Sequence, residues 1–355
     1  MSDNKGMGFG GFLVGLGAGW MVFQEIHVSG ELFAWILIIA GTGVVASSVL
    51  FSSRRNRHFG GLIGGLTVGT ILSLMITSNF VLYGISSGGY FGSYRAQDTI
   101  AFTGALTADS VLLDVNSFNG PIEVSTWAKD EYSISALIKA KGTTDAEAEE
   151  NLERFEFDLD ESLILGKKRL VLRHNVAGTM TSRYSVQIEV WLPTDATIDL
   201  ALDSSNGGIY LSDIEGGEIN LDASNGGLEF DYVKATRVDA STSNGPVTGR
   251  LDAWDADIDT SNGAITLTLP CTRNGRYELG TSNGPVQLEV SSSTSVGYNL
   301  DLSTSNSIVD IDLPNLDYTV STRTRKEAHT YGLASKSVRI TIDASTSNGS
   351  MRVDS

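Results

Sequence analysis

Cys271 is the only cysteine among 355 residues. No disulfide can form within one chain, and no cysteine zinc cluster can be assembled. Histidine is almost as scarce: His27 and His58 fall in the first quarter of the chain, leaving His174 and His329 isolated from each other. There is no H-x-x-x-H pair, no G-x-x-x-x-G-K-[ST] loop and no Cys–His pairing. Metalloprotease and nucleotide-phosphate chemistries therefore lack their usual residues. Positive charge is also short. Residues 1–90 hold four of the chain's 25 basic and three of its 42 acidic residues, leaving 21 basic against 39 acidic, a net −18. Such a field repels a phosphate backbone and excludes nucleic acid as a partner. It suits a soluble, surface-exposed domain.

The first quarter of the chain lacks something else. Residues 6–24, 32–53 and 59–94 contain no Asp, Glu, Lys or Arg, and each can supply the roughly 20 apolar residues that span a bilayer. A weak basic start (Lys5 alone) and two further apolar stretches behind it argue against a cleaved signal peptide. The reading is three retained transmembrane helices forming an anchor over 1–84. Arg54, Arg55 and Arg57 lie between the second and third, while Glu25 and Glu31 occupy the first loop. The positive-inside rule then places the N-terminus in the cytoplasm and everything beyond the third span outside, a multi-pass cell-membrane protein with an extracytoplasmic domain. Gly11, Gly15 and Gly19, and again Gly61, Gly65 and Gly69, recur four apart. That spacing leaves a smooth groove where helix backbones approach closely, within one chain or between copies, so self-association is open. With no ionisable group inside a span, a transporter or proton relay is disfavoured.

What the chain has in abundance is one phrase. Ser-Asn-Gly, preceded by a small residue, recurs around Asn206-Gly207, Asn225-Gly226, Asn244-Gly245, Asn262-Gly263, Asn283-Gly284 and Asn348-Gly349. Asn119-Gly120 is an early outlier, and Asn306-Ser307 is degenerate. From Asn206 to Asn306 the steps are 19, 19, 18, 21 and 23 residues, and the next, to Asn348, is 42. A period near 20 is a repeat architecture, and the long step reads as two periods with one copy lost. Four residues before each Asn stands an apolar residue (Val115, Leu202, Leu221, Ala240, Ile258, Leu279, Leu302, Ala344), and three after it another, Ile122 to Met351. Period-2 alternation on both sides means strands with one buried face. The phase breaks at Asn-Gly, both of which tolerate the positive φ of a sharp turn. An antiparallel meander fits these positions, but a β-solenoid of about 20 residues per coil fits better. A hairpin needs only Asn-Gly, whereas here small Thr or Ser at −2 and Ser at −1 recur too, as columns stacked from coil to coil would require.

Between anchor and repeats, 85–99 (Ile85–Ser93 being Gly/Ser-rich) reads as a flexible tether, and 100–195 as a β-rich leading module with one short helix. The repeat body is 196–355. The helix is signalled by Thr144 and Glu147 as a capping box, with Ala148, Leu152 and Phe155 on one face. The cluster Lys167-Lys168-Arg169 reads as a solvated turn between two strands.

From about 110 to 353 the chain resembles a family of bacterial and archaeal β-strand-repeat domains of unknown function that bears the name "putative adhesin". The opening LLDVNSFNGPIEV, the strand ending WLP at Trp191–Pro193 and the recurring S-N-G-x-[IVL] carry the resemblance. It implies a surface-exposed, β-solenoid-like domain without established catalysis.

The expectation is an all-β repeat domain on three N-terminal membrane helices, acting as a structural or adhesion-like interaction surface toward surface proteins or glycans. The alternatives are an envelope-stress sensor working through a membrane partner, and a carbohydrate-binding or carbohydrate-active β-helix. No cofactor is expected. Asp203, Asp222 and Asp259 stand at −3 and would line one edge of a stack, where hard oxygen ligands bind calcium, although outward Asp beside a turn is ordinarily only solubilising. Arg323, Arg325, Lys326 and His329 form the one basic island in an acidic body and mark a candidate interaction loop.

Overall fold

The computed structural model describes residues 93–355. The 1–84 anchor, with Gly11, Gly15, Gly19, Gly61, Gly65 and Gly69, lies outside the described residues. Among the described residues no helix is long and apolar enough to cross a membrane.

Tyr94–Ser355 forms one compact unit, so 195/196 is not a domain boundary. The first strand also begins within the stretch read as a tether. In chain order the leading part contains β1 (Ser93–Ala105), β2 (Ser110–Ser117), β3 (Ile122–Trp127), β4 (Glu131–Gly142), α1 (Asp145–Glu153), β5 (Phe157–Ile164), β6 (Lys167–His174) and β7 (Tyr184–Pro193). The middle contains β8 (Thr197–Ser204), β9 (Ile209–Ser212), β10 (Glu215–Ala223), β11 (Leu228–Thr242), β12 (Val247–Thr260), β13 (Ile265–Leu269), β14 (Gly275–Thr281) and β15 (Val286–Val290). The end contains β16 (Val296–Thr304), β17 (Val309–Asp312), β18 (Leu316–Ser321), β19 (Arg325–Thr330), β20 (Val338–Thr346) and β21 (Met351–Asp354).

Each coil is a strand leading into the Asn corner and a strand leading out. Like positions pair in parallel register, for example Leu221↔Ala240 before the corner and Leu228↔Val247 after it. This excludes the meander: the domain is a β-solenoid. The apolar residues four before and three after each Asn are all buried, from Val115 and Ile122 to Ala344 and Met351. In the coil through β11 the inward phase shifts again between Phe230 and Val233 and between Ala235 and Val238, so the chain bends at further corners. Asp213, Tyr232 and Cys271 hold positive φ there, at non-glycine positions that carry no turn signature.

The coils do not stack in chain order. Along the stack they run β6/β7, β2/β3, β8/β9, β10/β11, β11/β12, β12/β13, β14/β15, β20/β21 and β16/β17. Nine coils at ~4.8 Å make a stack about 40 Å tall. The 42-residue step from Asn306 to Asn348 is therefore not a lost copy. After β17 the chain builds an antiparallel hairpin, β18–β19, and then returns to insert β20/β21 between the coils of Asn283 and Asn306. Both ends are closed by antiparallel strands: β5 lies on β6 and β4 on β7 at one end, β19 on β16 and β18 on β19 at the other. An open parallel edge would template further coils, and the antiparallel strands replace it at β6, β7 and β16 with an edge that does not continue the repeat.

The helix forms where the capping signal places it. The Glu147 amide donates to Thr144 Oγ1 at 3.2 Å, but the Glu147 carboxylate returns to the Thr143 amide (2.8 Å) rather than to that of Thr144. Ala148 is buried and Leu152 packs against the core.

Candidate interaction surface

The corner is the repeated chemical unit of the fold. Each Asn side chain donates from Nδ2 to Oδ1 of the Asn in the neighbouring coil: Asn206 to Asn119, Asn225 to Asn206, Asn244 to Asn225 and Asn262 to Asn244, at 2.8–2.9 Å. The ladder continues from Asn283 to Asn262, Asn348 to Asn283 and Asn306 to Asn348, each at 2.8 Å. Asn119 closes it on the Thr181 and Tyr184 carbonyls. All the bonds run in one direction, so each amide polarises the next. Asn348, which begins the N-x-S glycosylation pattern Asn348-Gly-Ser350, has its side-chain nitrogen engaged in this ladder.

The Thr at −2 is buried and bridges two coils. Thr260 Oγ1 donates to the Gly245 carbonyl at 2.9 Å and accepts from the Gly263 amide at 3.0 Å. Thr242, Thr281 and Thr346 repeat the pattern on Gly226, Gly263 and Gly284. This explains why Thr recurs where an isolated turn would not require it. The glycines have a different reason from the one the sequence suggests. Of the corner glycines only Gly120 has positive φ. The others are glycine because a Cβ at Gly207, Gly226, Gly245, Gly263, Gly284 or Gly349 would sit 1.7–1.9 Å from the carbonyl oxygen of the neighbouring corner. Close stacking, not backbone handedness, selects them. Ser307 takes this place in the last coil, beside the Gly349 corner, and the close approach does not account for it.

Beside the corners runs an open groove of about 650 Å³, lined by the −1 serines Ser243, Ser261, Ser282, Ser305 and Ser347 and by Asp222, Ser241, Asp259, Ser303 and Ser345 at −3. It presents hydroxyls in register, with carboxylates at intervals. Asp203 and Asp222 are neighbours in this column, but Ser241 separates Asp222 from Asp259 and donates to Asp222 at 3.1 Å. The three aspartates do not converge, and among the described residues no group of three metal-ligating side chains occurs. Burial, then the Asp222 charge, raises the Asp203 pKa. Asp259 is raised by burial and by Asp257, Asp239 and Glu278. By its letters Gly280-Thr-Ser-Asn-Gly284 is also a G-x-S-x-G sequence, yet it is a strand-to-strand corner and not the strand-to-helix turn that such an elbow needs.

The basic island lies in and beside the β18–β19 hairpin. Arg325 pairs with Asp301 at 3.0 Å and Glu327 at 2.7 Å, and these carboxylates raise its pKa. Lys326 faces Asp310 and His329 faces Asp317, both at 3.9 Å, while the Arg323 carbonyl accepts from the Val309 amide. The side chains are drawn to different carboxylates and do not gather round one point. The island caps the terminal coil.

The sequence profile described as Toastrack DUF4097 matches residues 175–354, a little over half of the chain. The chain belongs to the Toastrack DUF4097 family. Solved structures to which this Toastrack chain is similar include a "putative cell adhesion protein" from Clostridium sporogenes (8% identity, TM-score 0.32, covering 72% of this chain and 99% of that one). A "putative adhesin" from Bacteroides fragilis (10%, TM-score 0.30, 74% and 100%) and another from Parabacteroides distasonis (10%, TM-score 0.31, 72% and 97%) are also similar. No curated protein matches the chain. The family assignment rests on the sequence profile.

One feature of this Toastrack domain is misplaced by its sequence. Lys167, Lys168 and Arg169 are not a solvated turn. They belong to β6 and pair with Asp199, Glu161 and Asp114. The turn is Leu165-Gly166, both at positive φ, and Leu163, Ile164 and Leu165 are exposed around it. Three adjacent apolar residues were the available signal, hidden because an apolar run in a strand ordinarily reads as core.

Proposed function

We propose that this chain is a membrane-anchored, surface-exposed β-solenoid that serves as a non-catalytic, adhesion-like interaction surface, with its N-terminus cytoplasmic and the solenoid outside the cell. The groove of stacked serine hydroxyls carries this reading. It crosses several coils in register, is open along its length, and offers repeated hydroxyl donors and acceptors with interspersed carboxylates. Such a surface suits an extended, hydroxyl- or amide-rich partner: a glycan, or a surface protein bound along the stack. The acidic excess beyond residue 90 is in keeping with work at a solvated surface.

Protease added to whole cells tests the topology by removing the chain beyond about residue 95; protection of that region refutes it. A pull-down from intact membranes, with full-length wild type beside a Ser261→Arg variant that fills the groove, tests the surface. The reading expects wild type to capture a surface glycan or protein and the variant to lose it. Equal capture by both refutes the groove as the contact.

A further inference from the structure

We propose that the tip of the β5–β6 hairpin inserts into the lipid surface of the membrane that carries the chain, as a second, peripheral attachment beside the N-terminal anchor. The proposal rests on the membrane-anchored reading above. Leu163 is 68% exposed, Ile164 52% and Leu165 102%. Leu165 has φ 52 and Gly166 φ 81, and Ile164 pairs with Lys167 across them. A two-residue loop with both φ positive is the hairpin geometry that favours Asn-Gly or Gly-Gly. A leucine there is conformationally costly and gains no burial in return. Folding does not account for this residue, whereas a surface that removes it from water does.

The position of the hairpin in the stack names that surface. β5 is the outermost strand on one face of the solenoid, bordering β6. β1 is outermost on the other, bordering β4, which borders β7. Since β6 and β7 form the terminal coil, the hairpin lies at the end of the stack where the chain arrives from residues 1–92. Those residues carry the three charge-free stretches. Tyr94, at that arrival point, lies at the same end of the stack but at the corner edge of the coil, opposite the tip. It is 40% exposed, with Lys141 Nζ 4.7 Å from its ring centroid, and tyrosine is a residue of membrane–water interfaces. The charges flanking the tip are neutralised in pairs, Lys167 with Asp199 and Lys168 with Glu161. Little unpaired charge there opposes apolar insertion, and the attraction is to the acyl boundary rather than to an anionic headgroup.

The test uses the full-length chain in phosphatidylcholine vesicles. An environment-sensitive fluorophore is placed at Leu165→Cys and, as a control, at Tyr331→Cys, which is exposed at the opposite end of the stack; native Cys271 is buried. The expected result is blue-shifted emission at 165 and several-fold stronger quenching by nitroxide-labelled lipid than at 331. Equal quenching at the two sites overturns the proposal. So does shielding of 165 in native membranes but not in lipid-only vesicles, which would mean that a protein covers the tip. An alkaline carbonate wash separates the two readings. If the wash strips the chain from vesicles, the anchor fails, and the hairpin is judged by whether vesicles added to the washed chain still quench position 165 above position 331. Leu163→Cys serves as a second reporter, with the same outcomes.

Discussion

Replacing Gly245 by Ala tests whether close stacking, rather than turn conformation, holds the corner. The new Cβ would lie 1.9 Å from the Gly226 oxygen, 2.3 Å from its carbonyl carbon and 2.6 Å from the Gly227 nitrogen, all backbone atoms. Ordinary contact begins at 3.4 Å, so the corner must open by about 1.5 Å. An opening of that size breaks what crosses it: Thr242 to the Gly226 carbonyl (2.8 Å), Asn244 to Asn225 (2.8 Å), and the amides of Ser243 and Asn244 to Ala223 and Ser224 (both 3.1 Å). Four hydrogen bonds at about 1 kcal/mol each cost roughly 4 kcal/mol, a large share of a total stability of about 5–15 kcal/mol. Urea unfolding of the Tyr94–Ser355 unit measures this. Gly166→Ala is the reference: nothing lies within 4 Å of its added Cβ, but φ is +81, so it should cost only about 1 kcal/mol. If Gly245→Ala proves no more costly than Gly166→Ala, the stacking argument is wrong.

Asp259→Asn should raise the urea midpoint at neutral pH and low salt. The folded pKa of Asp259 is raised, by burial first and then by Asp257, Asp239 and Glu278. Its ionisation therefore opposes folding: the proton-linked stability is full below the unfolded pKa of about 3.9 and is lost as pH rises through the folded value. The substitution should have no stabilising effect once both states are protonated, and a lower midpoint at neutral pH refutes the assignment. Ending the chain after Ser335 should abolish cooperative folding, because β20/β21 is an interior coil. It buries Ile340, Ile342, Met351 and Val353, roughly 8 kcal/mol of apolar burial, and its loss leaves β14, β15, β16 and β17 without their neighbours. A truncated protein with an unaltered thermal transition would contradict the stack order.

Most of the coil was legible in the sequence, because what builds it is local and periodic. Val115 and Ile122 announce inward positions by alternation, and the same offsets hold at every later Asn. Even the preference for stacked coils over hairpins was readable, from threonines that a lone turn has no use for and that prove to bridge Gly245 to Gly263. The reason for the glycines was not, since Asn-Gly spells both a positive-φ turn and a corner with no room for a Cβ. Only the neighbouring carbonyl distinguishes the two. The Asp column misled in a related way: Asp203, Asp222 and Asp259 share one offset, but a shared offset fixes a column and not adjacency within it, and Ser241 intervenes.

The order of the stack was illegible for a deeper reason. Every coil presents nearly the same interface above and below: an Asn amide that donates on one side and accepts on the other, a Thr hydroxyl and a Gly carbonyl. Any coil of this kind can follow any other, so the period states that coils stack and leaves open which stacks on which. The order is set by what is not repeated. The β18–β19 hairpin lies antiparallel on β16 and closes that edge, so the last coil cannot add there. The Asn348 coil instead takes the place beside Asn283 and under Asn306. The C-terminal strand β21 is consequently interior, paired on both sides with β15 and β17, and the end of the stack far from β1 belongs to the β18–β19 hairpin. Its outer strand carries the exposed Tyr318, and its basic residues are already spent on Asp301, Asp310 and Asp317. An arginine-rich loop that reads as a ligand site in sequence is thus the device that stops the repeat from growing. The serine column beside the Asn ladder, from Ser205 through Ser305 and Ser347, is by contrast uninterrupted, as the proposed interaction surface requires.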